Sequence, residues 1–135
     1  MNFVSDVNNP KREEIQTLLD YVKRKLKENN LFIMPLWKNI NFFIEYGLDE
    51  VEDRYKIIEK LNVNNFCECQ IGKNPEILGE ILYVFRTVEQ LIDLSGFEED
   101  VEIFIKFGKD KAQNDFVIIS FHDAEYDMKL YNWGE

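Results

Sequence analysis

His122 has the clearest capacity for catalysis in this chain, because it is the only histidine among 135 residues. An imidazole gains and loses a proton near neutral pH, so a general acid or base working there would most simply be this residue. His122 ends the segment 116–122, whose composition is typical of a buried β-strand. The alternative is a strand-end histidine satisfied by a backbone group or by Asp123.

Lys106 is the cation that the strand pattern brings near His122. In the segment 101–107 the odd-numbered residues are apolar, so they are predicted to face a core and to leave Phe104 and Lys106 on the opposite surface. If the odd-numbered residues of 117–121 face the same core, the last strand also contributes to that second surface. The residues then expected there are Phe116, Ile118, Ser120 and His122.

The first half of the chain is predicted to be helical. Apolar residues recur at helical spacing over 11–29, which indicates an amphipathic N-terminal helix. The segment 36–61 is predicted to form a helical hairpin, with its turn at Gly47-Leu48-Asp49. The other face of the first helix would be basic, and it is either solvated or a contact for RNA or an acidic protein. Its basic residues are Lys23, Arg24, Lys25 and Lys27.

The second half is predicted to form a sheet, after a loop-like stretch at 62–79 that is rich in Asn and Gly. Helices followed by antiparallel strands are typical of an α+β domain. We therefore expect 1–135 to be a single domain in which the N-terminal helices cover one face of a small antiparallel β-sheet within 80–133. Strands are expected at 81–88, 101–107 and 116–122, with a short further segment at 128–133.

The formal net charge is −10 and it is unevenly placed. Residues 1–27 contain six basic and four acidic groups, whereas 28–135 contain ten basic and twenty-two acidic groups. A body this acidic repels polyanions at long range, which disfavours unaided nucleic-acid binding and favours a basic partner protein. An ordinary solvated surface is the alternative for each acidic cluster.

The sequence predicts a cytoplasmic protein without membrane segments, metal or cofactor. No apolar run is long enough to span a bilayer, and the first ten residues lack the pattern of a signal peptide. Cys67-Glu68-Cys69 lacks the second ligand pair of a zinc site, and its thiols are expected to be reduced. Alternating acids at Asp123, Glu125 and Asp127 fit an acidic strand edge better than a magnesium site. No phosphate-binding glycine loop or dinucleotide fingerprint occurs.

Six segments, taken in order, resemble the MqsR-like toxins of type II toxin–antitoxin systems, over most of residues 31–131. The resemblance implies a RelE-like α+β fold, sequence-selective cleavage of mRNA without a metal, and a cognate antitoxin as partner. The segments are Leu36-Trp37-Lys38-Asn39, Gly47-Leu48-Asp49, Ile57-Ile58-Glu59-Lys60-Leu61, Ile81-Leu82-Tyr83-Val84-Phe85, Ile103-Phe104-Ile105-Lys106 and Ile119-Ser120-Phe121-His122-Asp123-Ala124-Glu125-Tyr126.

The resemblance also implies roles for individual residues. His122 would be the general acid or base, and Lys106 the cation that stabilises the phosphorane. Lys38 and Asn39 match a Lys-Asn pair of the family. Arg86 is a candidate replacement cation. Tyr83 and Tyr126 are candidate sources of a phenol, with aromatic core packing as the favoured alternative for both. The candidate substrate-binding residues are Arg86, Tyr83, Lys38 and Ser120.

The chain departs from the family pattern at several positions. Phe104 stands where the family usually has Tyr, Leu36 where it often has Arg, and Tyr83-Val84-Phe85-Arg86 where it has Trp-Val-Phe-Gly. The family's usual basic balance is absent. A second hypothesis therefore stays open, namely an acidic inhibitor of phage or mobile-element type. It would mimic nucleic acid and bind a basic surface, such as that of a nuclease, on a toxin-like fold without catalysis. A third is a retired toxin that only assembles with partners.

Overall fold

Helices precede an antiparallel sheet in the computed structural model, which describes residues 2–134. The α+β class expected from the sequence is confirmed. No helix within 2–134 is both long and apolar enough to cross a membrane. The helices are α1 (Arg12–Lys27), α2 (Trp37–Glu45) and α3 (Val51–Glu59), and the strands are β1 (Phe66–Ile71), β2 (Ile81–Ile92), β3 (Glu98–Asp110) and β4 (Asp115–Asp123), with 3₁₀ turns at Val63–Asn65 and Pro75–Ile77.

Helix α1 forms where its apolar residues recur at helical spacing, and that stripe is buried against the sheet. The prediction that Lys25 belongs to an exposed basic face is wrong, because this side chain is buried. Its Nζ donates hydrogen bonds to Asp115 Oδ1 at 2.8 Å and to the Phe116 carbonyl oxygen at 3.2 Å. The buried ammonium is thus paired with a carboxylate and ties α1 to the start of β4.

The four strands form an antiparallel meander in the order β1-β2-β3-β4. The prediction of a loop throughout 62–79 is wrong, because Phe66–Ile71 pairs with β2. Pairing with a long neighbouring strand outweighs the turn-forming Asn and Gly residues that flank this short segment. The strand expected at 81–88 continues to Ile92, four residues further than predicted. The segment 128–133 is not a strand, although the Tyr131 N–H donates to the Phe66 carbonyl oxygen.

A β-bulge changes which residues of β4 face the helices. Lys106 pairs with Ser120, but Phe107 pairs with Ile118, so Ile119 is the extra residue. The extra residue reverses the alternation, and the predicted facing of the first half of β4 is therefore wrong. Phe116 and Ile118 belong to the core beneath the helices, whereas Val117 and Ile119 lie with Leu82 in a separate cluster.

The sheet surface turned away from the main core is only partly covered. On this surface Met128 packs on Cys67, Val84 and Phe104. Helix α2 packs along the edge strand β4, but its residues Phe42 and Phe43 belong to the main core. Ile77 joins the cluster that contains Leu82. Between these coverings the middle of the sheet remains open as a cleft.

Candidate active site

A cleft of about 830 Å³ lies on this open surface, and Lys106, Ser120 and His122 all line it. Lys106 stands opposite Ser120, and Phe104 opposite His122, in the ladder between β3 and β4. Residues directly opposite in a sheet share one face, so the two strands present these side chains together. The predicted grouping of Phe104, Lys106, Ser120 and His122 on one surface is what the structure shows.

Asn39 fixes the position of the β4 segment that carries Ser120 and His122. Its side chain is fully buried, and Nδ2 donates to the carbonyl oxygens of Met34 at 2.9 Å and Ile119 at 3.0 Å. Its Oδ1 accepts the Phe121 N–H at 2.8 Å. The amide thus satisfies backbone groups at the bulge, where the ladder is interrupted. Asn39 is a positioning residue, and it lies beside Lys38 at the start of α2.

The ring of His122 is oriented by the backbone of the next residue. Nδ1 lies 2.9 Å from the Asp123 carbonyl oxygen. Because a carbonyl oxygen can only accept a hydrogen bond, this contact places the proton of a neutral ring on Nδ1. Nε2 is then the nitrogen able to take up a proton, and it lies 3.9 Å from Glu125 Oε1. The ring is nearly buried, with 8% of the residue exposed, so its orientation is well defined.

Glu125 bridges the cations of the cleft. Its carboxylate accepts two hydrogen bonds from Lys38 Nζ, at 2.7 and 2.8 Å. These hydrogen bonds, together with the positive charges of Lys38, His122 and Lys106, lower the pKa of Glu125 and outweigh the opposing effect of desolvation. The carboxylate is therefore an anion held where cations converge.

Lys106 is the second cation directed into the cleft. It is partly buried, and its Nζ donates to Gln70 Oε1 at 3.2 Å. Gln70 is a neutral amide, so this hydrogen bond orients the ammonium group without cancelling its charge. An anion entering the cleft can be bound by Lys106.

Tyr126 places a phenol in the same cleft, next to Phe104, whose ring has no hydroxyl group. The two rings meet edge to face with centroids 5.3 Å apart, and Tyr126 is half exposed. Gln70 Nε2 lies 3.5 Å from the Tyr126 hydroxyl oxygen. The hydroxyl group near Phe104 is therefore that of Tyr126, which follows β4, whereas Phe104 lies on β3.

Two of the predicted site residues lie elsewhere. Tyr83 faces the main core, where its hydroxyl oxygen accepts the Phe3 N–H at 2.9 Å and burial raises its pKa. It faces the core because it alternates with Leu82 and Val84, which face the other way. Arg86 does not line the cleft.

Arg86 is engaged at the margin of the same sheet surface. Its guanidinium group forms an ion pair with Glu102 and donates to the Met128 carbonyl oxygen. Glu102 neutralises its charge, and the carbonyl fixes its direction. The prediction that Arg86 binds substrate in this site is therefore not supported by its position.

The cysteines are poor candidates for nucleophiles at neutral pH. Burial raises the pKa of the Cys67 thiol to about 11 and that of the Cys69 thiol to about 12. The reactive form of cysteine is the thiolate, and it is scarce far below the pKa. Cys69 contributes to the wall of the cleft, but its chemistry at neutral pH is that of an inert thiol.

Sequence reasoning missed Gln70 as a functional candidate and assigned Glu125 only to an acidic strand edge. Gln70 lies on β1, which was expected to be a loop, and the alternation of Glu68 and Gln70 was the available signal. Glu125 follows β4, and its partner Lys38 is 87 positions earlier. Only the tertiary fold brings these two charges together.

The local charge of the cleft differs from that of the whole chain. Three lysines and two glutamates line it, whereas the chain as a whole has a net charge of −10. The lining is therefore positive by one charge before His122 is protonated. These residues are Lys38, Lys73, Lys106, Glu68 and Glu125. No three His, Cys, Asp or Glu side chains within 2–134 group closely enough to hold a metal ion.

Comparison of the chain with protein-family models, with curated proteins and with solved structures gave no match. The function is therefore inferred from the cleft and from the motifs described above.

Proposed function

We propose that this protein is an MqsR-like toxin with a RelE-like fold, an endoribonuclease that cleaves mRNA without a metal and is neutralised by a cognate antitoxin. The observation that carries the proposal is the juxtaposition of the only histidine, His122, with Lys106 on facing strands of one cleft. A base and a phosphate-binding cation are the minimum that metal-free RNA cleavage needs.

In the proposed cleavage reaction, His122 Nε2 is the general base. It takes the proton of a ribose 2′-hydroxyl, whose oxygen then attacks the adjacent phosphorus. The new O2′–P bond forms as the P–O5′ bond breaks, which leaves a 2′,3′-cyclic phosphate and a 5′-hydroxyl product. Lys106 stabilises the negative charge of the phosphorane. The phenol of Tyr126 is the proton donor for the departing O5′, because a phenol is more acidic than an aliphatic hydroxyl.

The charge of the cleft supports an anionic substrate in spite of the acidic body. Cations that line a concave site act over a short range, where screening by salt is incomplete. Lys38 and Lys106 approach the cleft from α2 and β3, so an RNA phosphate could contact both sides. The acidic surface elsewhere would restrict RNA to this cleft.

Growth arrest on induced expression tests the proposal. Wild type is expected to arrest growth, and His122→Ala or Lys106→Ala at matched protein levels is expected to relieve the arrest. Lys111→Ala is the matched control, since it removes an exposed lysine that does not line the cleft. Absence of arrest by soluble, folded wild type, or arrest by His122→Ala equal to that of wild type, would count against the toxin.

A second candidate function is a non-catalytic acidic protein that binds a basic protein surface such as that of a nuclease. It is favoured by the exposed acidic run Glu98-Glu99-Asp100 at the start of β3. This function requires no base in the cleft, so binding to the basic protein would survive His122→Ala. The same variant thus separates the two functions.

A further inference from the structure

The hairpin formed by β2 and β3 exposes two large apolar side chains at its tip. Leu94 is 75% exposed and Phe97 is 70% exposed, and Ile92 beside them is 58% exposed. Hairpin turns are usually built from small or polar residues. Clustered apolar side chains in solvent are typical of a binding surface rather than of an ordinary turn.

The turn that carries these side chains has a fixed geometry. Asp93 Oδ1 accepts the N–H groups of Ser95 at 2.8 Å and Phe97 at 3.0 Å. The Asp93 N–H donates to the Phe97 carbonyl oxygen at 2.9 Å, and Gly96 takes the positive φ of 86° that the turn requires. Leu94 and Phe97 are therefore presented on an ordered turn, which lowers the entropy lost on binding.

The hairpin is also held close to the turn. The Tyr46 hydroxyl donates to Glu99 Oε1 at 2.7 Å, and Lys60 forms an ion pair with Glu89. The two strands remain paired up to Ile92 and Glu98, immediately before the turn. The tip thus projects from a strand pair that α2 and the end of α3 support.

The charge around the tip has a single sign. The segment 87–105 contains six acidic residues and no lysine or arginine. Four of them, Asp93, Glu98, Glu99 and Asp100, lie in the turn or at the start of β3, where Asp93 is half-buried and the other three are exposed. Nucleic acids and anionic membranes are repelled by such a surface. A second copy of this acidic chain is a poor partner for the same reason.

We propose that this hairpin tip is a docking site for a partner protein that has an apolar recess rimmed by lysine or arginine. Leu94 and Phe97 would fill the recess, and the surrounding carboxylates would face the basic rim. The tip residues do not line the cleft of His122, so docking is independent of catalysis.

Site-specific photo-cross-linking identifies the occupant. A photoreactive benzophenone amino acid replaces Phe97 in the full chain, which is expressed at its native level in the cells of origin. The same replacement at Leu130 is the control. Leu130 is also exposed and apolar but lies far from the tip in the chain. We expect one protein adduct from position 97 that is absent from position 130, identified by mass spectrometry as a protein with a basic surface. No adduct, identical adducts from both positions, an RNA adduct or a self-adduct would each overturn the proposal.

The identified protein is then purified and titrated against variants. Leu94→Ser with Phe97→Ser is expected to weaken binding about tenfold or more, because central apolar anchors dominate interfaces. Glu98→Gln with Asp100→Asn is expected to weaken binding and reduce its salt dependence. His122→Ala should bind like wild type, which separates docking from RNA cleavage. Unchanged affinity of the tip variants, with the fold intact by circular dichroism, would overturn the proposal.

Discussion

The side-chain amide of Asn39 donates a hydrogen bond to the carbonyl oxygen of Ile119, the extra residue of the β4 bulge. The bulge alone would leave that carbonyl buried without a ladder partner, at a cost of about 1–3 kcal/mol. Asn39 therefore stabilises the bulge at which the side chains of β4 change the side of the sheet they face, between Ile118 and Ser120. The result is a strand whose first half packs under the helices and whose end directs Ser120 and His122 into the cleft.

Asn39→Ala is predicted to destabilise the fold by about 2–4 kcal/mol, because it removes the side-chain partner of two buried backbone groups, the Ile119 carbonyl and the Phe121 N–H. Urea unfolding measures the change in the free energy of unfolding. Asn41→Ala is the control, since Asn41 lies on the exposed side of the same helix. Equal stability of the two variants would show that the Asn39 contacts contribute little.

Glu125→Gln is predicted to tighten the binding of RNA at low salt by about three- to tenfold. The change removes the carboxylate that holds Lys38 and lies 3.9 Å from His122 Nε2. Fluorescence anisotropy with a labelled RNA oligonucleotide measures the affinity. Asp127→Asn removes the same charge from an exposed position outside the cleft. If both variants tighten binding equally, the effect is one of net charge and Glu125 has no special position.

Tyr126→Phe is predicted to slow RNA cleavage about tenfold or more without lowering stability. The substitution removes the hydroxyl group assigned as proton donor but retains the edge-to-face contact with Phe104. Single-turnover cleavage rates and thermal unfolding are measured together. A cleavage rate equal to that of wild type would contradict the role of Tyr126 as proton donor and would indicate that another group, such as water, protonates the leaving oxygen.

Asp115→Asn is predicted to lower stability at pH 7 by about 1 kcal/mol, a value kept small because Asp115 is partly exposed. The hydrogen bond from Lys25, opposed by desolvation and aided by the Phe116 N–H, lowers the pKa of Asp115 below 3.8. A lowered pKa stabilises the fold above the unfolded-state pKa, and the stabilisation is lost as the pH falls through the folded-state pKa. The difference between wild type and variant should therefore be largest near neutral pH and shrink below about pH 4.

Urea unfolding of wild type and Asp115→Asn at pH 7, 5 and 3 checks this dependence. Glu59→Gln, an exposed change at the end of α3, controls for the loss of a negative charge. A difference that stays constant across this range would contradict the assigned role of the Lys25–Asp115 pair.

The parts of the fold that were predicted correctly depend on local periodicity. The buried stripe of α1 repeats at helical spacing, and the odd-numbered residues from Val101 to Phe107 of β3 all belong to the main core, as their alternation with the even-numbered residues predicts. The first half of β4 is apolar on both faces, so its alternation could not reveal the bulge. Strand β1 has only six residues and becomes a strand through its pairing with β2.

Some residues of the candidate site could likewise be predicted from local patterns, and others could not. Lys106, Ser120 and His122 were predictable because their positions on adjacent strands follow from strand alternation. Gln70 reaches Lys106 across 36 positions in the chain, and no local pattern records that contact. Tyr83 was misplaced because its type fitted a binding role, although its position in β2 directs it into the core.

Cleavage of a defined mRNA by the purified protein, in the presence of EDTA, tests the proposed function most directly. Wild type should produce fragments with 2′,3′-cyclic phosphate ends, and His122→Ala should lower the cleavage rate by about 10²–10⁴, the contribution expected of a general base. Lys111→Ala should cleave at the wild-type rate. Intact RNA after incubation with folded wild type, or equal cleavage by His122→Ala, would contradict the assignment of this cleft as a ribonuclease active site.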